Sequence, residues 1–149
     1  DAVEVPEPLA GDAMKGECKA LLPVFGEMLT RCLVSKKTWL ARDAALTKVA
    51  DLMERRLAGQ LSDQETSDHP GLGGSVEALC EACAQVMARA AGDSVKKVSL
   101  TSASLLDPWL RLAADLPPKD CQRMVEPFAA AMVDCLGDSN TRARDRAAA

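Results

Sequence analysis

This chain has no tyrosine, two phenylalanines and two tryptophans, so aromatic residues make up only 3% of it. Sheets lean on aromatic and β-branched side chains to pack their pleated faces, and the shortage argues against one. Histidine is equally scarce, with His69 alone. Ser/His/Asp and Cys/His catalytic sets need a histidine placed beside a nucleophile, and this one falls in a polar stretch with no such neighbour. No glycine-rich phosphate loop is present, and no carboxylates are spaced to converge. The expectation is therefore a protein that is not an enzyme and has no cofactor. No apolar run approaches the roughly 18–20 residues of a membrane span, so a membrane partner is not expected either. The formal net charge of −4 has the wrong sign for a nucleic-acid binder. The chain opens at Asp1 with neither Met nor a signal-peptide pattern, which reads as a piece cut from something longer.

What the chain does have is Ala, Leu and other apolar residues, 48% hydrophobic over 149 positions, with 27% charged. That suits one helical domain, or part of one, with a sizeable core. Six cysteines stand at 18, 32, 80, 83, 121 and 135. All fall on the apolar stripe of an expected helix, where a free thiol acts as a small buried hydrophobe. Cys80 and Cys83 form a CxxC that lacks the second ligand pair of a zinc site. A redox or metal role for them is the weakest reading, and no metal site is expected.

The organising stretch is SKKTWLARDAAL, Ser35 to Leu46: a short basic turn carrying Trp39 that opens into a helix. Ala45, Leu46, Val49, Leu52 and Met53 recur at helical spacing and mark the buried face. Trp39 lies off that stripe, beside Lys36, Lys37 and Arg42. It either anchors a partner or folds back on its own repeat.

In chain order, residues 1–14 (DAVEVPEPLAGDAM) are acidic and without period, a linker or an ordered tail. A helix from Lys15 to Val34 turns Cys18, Leu21, Leu22, Phe25, Met28, Leu29, Cys32 and Leu33 inward, bent at Pro23. The Trp39 helix ends near Leu57. Gly59 to Gly74 is polar and glycine-rich, a surface loop with a solvated His69. A third helix spans Ser75 to Ala91. A fourth, about Val95 to Ala114, carries Val98, Leu105, Leu106 and Leu110 inward and is kinked or split by Pro108. A fifth runs from Lys119 to Leu136, with Cys121, Met124, Val125, Phe128, Met132 and Cys135 inward. Gly137-Asp138-Ser139 ends it, and a sixth begins near Asn140.

These elements repeat. GDSVKKVSL at 92–100 superposes on GDSNTRARD at 137–145 with an offset of 45 residues, and LARDAAL at 40–46 on RARDRAA at 142–148 with an offset of 102. Helix pairs at about 15–58, 75–115 and 118–149 follow, with the 59–74 loop as an insertion. A period of about 40–47 residues with two helices per unit belongs to HEAT-type solenoids, in which each pair buries its face against the next. The expected fold is an all-α HEAT-repeat α-solenoid of about three helix pairs.

Stacking puts the turn inside each pair along one edge. Those turns hold Lys36, Lys37 and Arg42, then Lys96 and Lys97, then Arg142 and Arg144, seven of the 18 Lys and Arg. Trp39 stands at the first station and Val95 at the second. A cationic edge on an acidic body fits an acidic partner met in one orientation. Cations oppose the macrodipole at a helix N-terminus, so something else favours them there.

A Trp in the first such turn, Val-Lys in the second and Asn/Arg in the third resemble the tubulin-binding edge of TOG domains. SKKTWLARDAALTKVADLM, AAGDSVKKVSLTSASLL and CLGDSNTRAR are similar, more narrowly, to TOG domains of ciliary-tip centrosomal proteins. The likeness covers about residues 17–149, roughly the first half of such a domain. It implies six HEAT repeats in the whole domain and a non-catalytic module for αβ-tubulin or the microtubule lattice at plus ends. The place it implies is cytoplasm and cytoskeleton, at the cilium or flagellum tip, centriole or basal body. It further implies an end-binding protein and other ciliary-tip proteins as partners of the parent chain. By the same resemblance Trp39 is the apolar anchor on β-tubulin, flanked by Lys36, Lys37 and Arg42. Val95, Lys96 and Lys97 make the second contact, and Asn140, Thr141, Arg142 and Arg144 the third. The alternative is a generic HEAT scaffold that binds a partner protein through its helix faces.

Overall fold

The computed structural model describes residues 6–9, 11, 16 and 18–148, with side chains described as far as Asp134. Among the described residues the α-helices in chain order are α1 (Leu22–Leu33), α2 (Trp39–Ala58), α3 (Asp63–Asp68), α4 (Val76–Ala91), α5 (Lys96–Ser102), α6 (Leu106–Ala113) and α7 (Pro118–Ala148). Two 3₁₀ turns, Pro70–Gly73 and Ala103–Leu105, precede α4 and join α5 to α6. No strand occurs among the described residues. Helices α1, α4 and α7 form one layer, and α2 with α5 and α6 forms the other. One core runs through both layers, built on Phe25, Leu46, Val49, Met53, Leu79, Met87, Leu105, Trp109 and Phe128. Trp109 is 1% exposed. It stacks edge-on against Phe128 at 5.3 Å between ring centroids and donates its indole N–H to the Cys80 carbonyl at 2.9 Å.

The first helix departs from expectation. Pro23 sits in the first turn, where its missing N–H costs nothing, and the break falls at Gly26 with φ +81°. A Cβ there would lie 2.6 Å from the Asp68 carbonyl oxygen, so both the conformation and the close approach need glycine. The break shifts the helical register and leaves Met28 exposed rather than buried. It also leaves Thr30 Oγ1 buried without a hydrogen-bond partner. The expected start at Lys15 lies outside the described residues, and residues 18–21 form a turn ahead of α1.

Residues 59–74 are not a bare surface loop. Gly59, at φ +70°, ends α2. The amides of Gly59 and Gln60 return to the Arg56 and Arg55 carbonyls at 3.2 and 2.8 Å, a Schellman stop. Ser62 and Glu65 form a reciprocal capping box that starts α3. The segment then folds down on α1. Leu72 is fully buried, and Gly71 passes so near Val24 that a Cβ would meet its Cα at 2.3 Å. His69 is buried rather than solvated, with Nδ1 2.6 Å from the Phe25 carbonyl oxygen. A carbonyl only accepts, so Nδ1 carries the proton. Arg56 of α2 donates to the carbonyls of Leu72 and Gly74. The insertion is thus packed against the break in α1.

The fourth expected helix is split, but upstream of Pro108. The 3₁₀ turn at Ala103–Leu105 separates α5 from α6, and Pro108 stands in the first turn of α6. That turn faces Trp109 inward and leaves Leu110 exposed. Nor is there a turn at Gly137-Asp138-Ser139: α7 runs unbroken from Pro118 to Ala148. A lone glycine inside a helix costs only about 1 kcal/mol, and these three residues contain no proline. The third expected pair is therefore one long helix.

Candidate functional site

The turn between α1 and α2 is built from the inside. Ser35 is buried, and its Oγ accepts the Thr38 amide at 3.3 Å. Thr38, the N-cap of α2, makes no side-chain cap. Lys36 and Lys37 stand exposed. Trp39, the first residue of α2, is 39% exposed, and Leu40 beside it is also exposed. So the indole neither joins the core nor folds back into it.

The second turn, Gly92 to Val95, closes on Asp93, whose Oδ1 accepts the Val95 amide at 2.8 Å. Val95 is half-buried against the core. Lys96 and Lys97 open α5, with Lys97 exposed. Acidic residues occupy the first turns of α3, α4, α6 and α7, whereas α2, α5 and α1 have none there. The two helices that open this edge thus lack the usual acidic complement to the macrodipole.

Arg42 joins the two turns. Its Nε and Nη2 meet both carboxylate oxygens of Asp93, at 2.7 and 3.0 Å, and its Nη1 donates to the Ser35 carbonyl at 2.6 Å. The two side chains are 14% and 10% exposed. Arg42 was expected to flank Trp39 as a contact; its guanidinium is instead engaged inside the edge. Asp43 adds a second tie, accepting the Thr101 hydroxyl at 2.6 Å with the Lys97 ammonium 3.9 Å away. A cleft of about 300 Å³ opens between the turns, lined by Ser35, Lys36, Arg42, Arg89, Asp93 and Ser94.

Residues 6–9 complete the first turn. Glu7 accepts the Ser35 hydroxyl at 2.6 Å on one oxygen and the Lys36 and Lys37 amides at 3.1 and 3.2 Å on the other. The Ser35 hydroxyl foremost, then Glu7's own amide and after it those of Lys36 and Lys37, lower its pKa from the ordinary 4.5 to about 2. Arg31 holds the strap from below through the Pro6 and Glu7 carbonyls, at 2.5 and 3.2 Å. This part of the expected acidic tail is ordered against the edge.

The structure therefore brings Lys36, Lys37, Trp39, Arg42, Val95, Lys96 and Lys97 onto one edge. Asn140, Thr141, Arg142 and Arg144, expected in a third turn, lie along α7, and their side chains are outside the described residues. Glu7, Leu40, Asp43 and Asp93 are the edge residues the sequence reading did not pick out. Asp93 had a signal in its Gly-Asp-Ser turn; Glu7 had none, being joined to its partners only through space. Among the described residues no group of three or more His, Cys, Asp or Glu is placed to hold a metal. Burial pushes the Cys80 thiol up to about 11 and the Cys83 thiol higher still, which keeps both protonated.

No family model matches the chain, and no curated protein matches it by sequence. Among solved structures, the CEP104 TOG domain is similar to it, with a TM-score of 0.65 and 26% identity over 96% of this chain. The match takes in 52% of that domain, so the chain spans about half its length. The all-helical HEAT-repeat architecture expected from the sequence is shared with a TOG domain, as is the narrower likeness to the centrosomal TOG domains.

Proposed function

We propose that this chain is a non-catalytic tubulin-binding module that docks by the edge of its intra-pair turns. The observation that carries the reading is Trp39. It is 39% exposed, whereas Trp109 is 1% exposed, and it stands on a turn braced by hydrogen bonds to Glu7 and Arg42. A large apolar side chain held in the open, with Leu40 beside it and lysines around it, has the composition of an interface hot spot. Lys36, Lys37, Lys96 and Lys97 meet the partner's acidic surface, while Arg42 and Val95 hold the edge in shape. Asn140, Thr141, Arg142 and Arg144 form the third contact by resemblance. Likeness to the CEP104 TOG domain supports a place at microtubule plus ends in the cilium or flagellum tip and at the centriole. An end-binding protein would be met through other parts of the parent chain.

Sedimentation of the chain with αβ-tubulin, wild type beside Trp39→Ala, tests the reading. A complex formed by the wild type and lost in the variant supports it. A complex that survives the substitution, with a footprint on the helix faces, would transfer the function to a HEAT scaffold.

A further inference from the structure

Glu7 is an anion set in the middle of an edge that meets an acidic partner, and long-range charge alone makes it unfavourable there. Its local bonds say what it does. One carboxylate oxygen takes the Ser35 hydroxyl and the other takes two consecutive amides, those of Lys36 and Lys37. Consecutive N–H groups converging on one oxygen make a small anion nest, and here the anion comes from the chain itself. Ser35 passes the restraint on, since its Oγ also accepts the Thr38 amide one residue before Trp39. The opposite side of the turn is held through the Ser35 carbonyl by Arg42. With Thr38 offering no cap of its own, the entry into α2 is fixed largely from outside the turn.

We propose that Glu7 is a positioning residue of the docking edge, and that the strap of residues 6–9 belongs to the binding site. The inference rests on the tubulin-binding reading and extends it to a segment about 30 residues upstream of the turn. Glu7 acts through the turn, on the Ser35 hydroxyl and the Lys36 and Lys37 amides, rather than on the partner. By holding one conformation of Lys36 and Lys37 it presents Trp39 already ordered, so that binding does not have to order it.

Charge and positioning predict opposite signs, which makes the test sharp. Glu7→Ala and Glu7→Gln each remove a negative charge from the edge; an acidic partner would then bind faster and tighter if charge ruled. Positioning predicts the reverse: affinity for αβ-tubulin falls about tenfold in Glu7→Ala and less in Glu7→Gln, which keeps an acceptor. Exchange of the Lys36 and Lys37 amides should accelerate in the same variants. Glu126→Ala, which removes an exposed acid on α7, controls for net charge and should leave both readouts alone. Weaker binding together with faster exchange at those two amides upholds the proposal. Equal or tighter binding overturns it, as does weaker binding with the two amides still protected. Should the wild type not bind tubulin, the tubulin reading fails by itself. The exchange arm then decides whether Glu7 holds the turn: acceleration in Glu7→Ala upholds that hold, and unchanged exchange overturns it.

Discussion

Arg42 and Asp93, 51 residues apart in sequence, form a two-point ion pair that ties the first intra-pair turn to the second. Both side chains are largely shielded, and Arg42 spends a third nitrogen on the Ser35 carbonyl. Removing one partner of a shielded pair strands the other, which is far more costly than losing an exposed pair. Arg42→Ala and Asp93→Ala should each lower unfolding stability by roughly 2–4 kcal/mol. The double variant should recover about 1–3 kcal/mol of the summed loss as coupling. Urea denaturation of the three proteins reads this; single variants within about 0.5 kcal/mol of wild type would mean the pair is decorative.

The two tryptophans should separate binding from folding. Trp39→Ala is expected to leave the melting temperature nearly unchanged while costing about 2 kcal/mol or more of tubulin affinity. Trp109→Ala empties the core against Phe128 and removes the indole donor to the Cys80 carbonyl, and should cost about 3–5 kcal/mol of stability. Equal effects of both on melting would show that Trp39 is part of the core after all.

Gly26 and Gly59 share a left-handed φ but not their surroundings. A side chain at Gly59 meets nothing within 4 Å, whereas one at Gly26 collides with the Asp68 carbonyl. Gly59→Ala should cost about 1 kcal/mol, and Gly26→Ala at least about twice that, because the insertion must lift. Thermal melts of the pair check the order. Thr30→Val, which removes a buried hydroxyl without a partner, should instead stabilise the protein by about 1 kcal/mol.

Acid should loosen the first turn late. Glu7 has a folded pKa near 2 against an ordinary 4.5. A lowered carboxylate pKa contributes stability that is fully present above the ordinary value and is lost as pH falls through the folded one. The Lys36 and Lys37 amide resonances should therefore hold their positions near pH 4.5 and move as pH approaches 2. Movement centred at pH 4.5 would show that the carboxylate is not held by them.

The edge was legible in the sequence because its ingredients are local. Trp39 breaks the helical stripe, the lysines cluster beside it, and the offsets of 102 and 45 residues together place Val95, Lys96 and Lys97 at the matching station. What the sequence hid was pairing through space. Arg42 reads as one more surface cation until Asp93 is brought to it, and Glu7 reads as tail until it meets Ser35. The insertion was misread for a different reason. Ser62 and Glu65 do carry a capping-box spacing, but too short a helix follows for any apolar period to emerge. Met28 and Leu110 were placed inward by a continuous helical period, which Gly26 and the 3₁₀ turn interrupt.

The packed insertion has a mechanical meaning. Helix α2 has 20 residues and is about 30 Å long, so Gly59 begins the insertion at the end remote from Trp39. There Arg56 ties α2 to the Leu72 carbonyl, and the 3₁₀ turn that carries Leu72 packs on α1, α2 and α4, while Arg42 and Asp93 lock the other end. A hinge needs one free side, and this junction has neither. The first two stations therefore behave like the jaws of a fixed gauge. A partner surface whose spacing does not match them must itself bend or be refused.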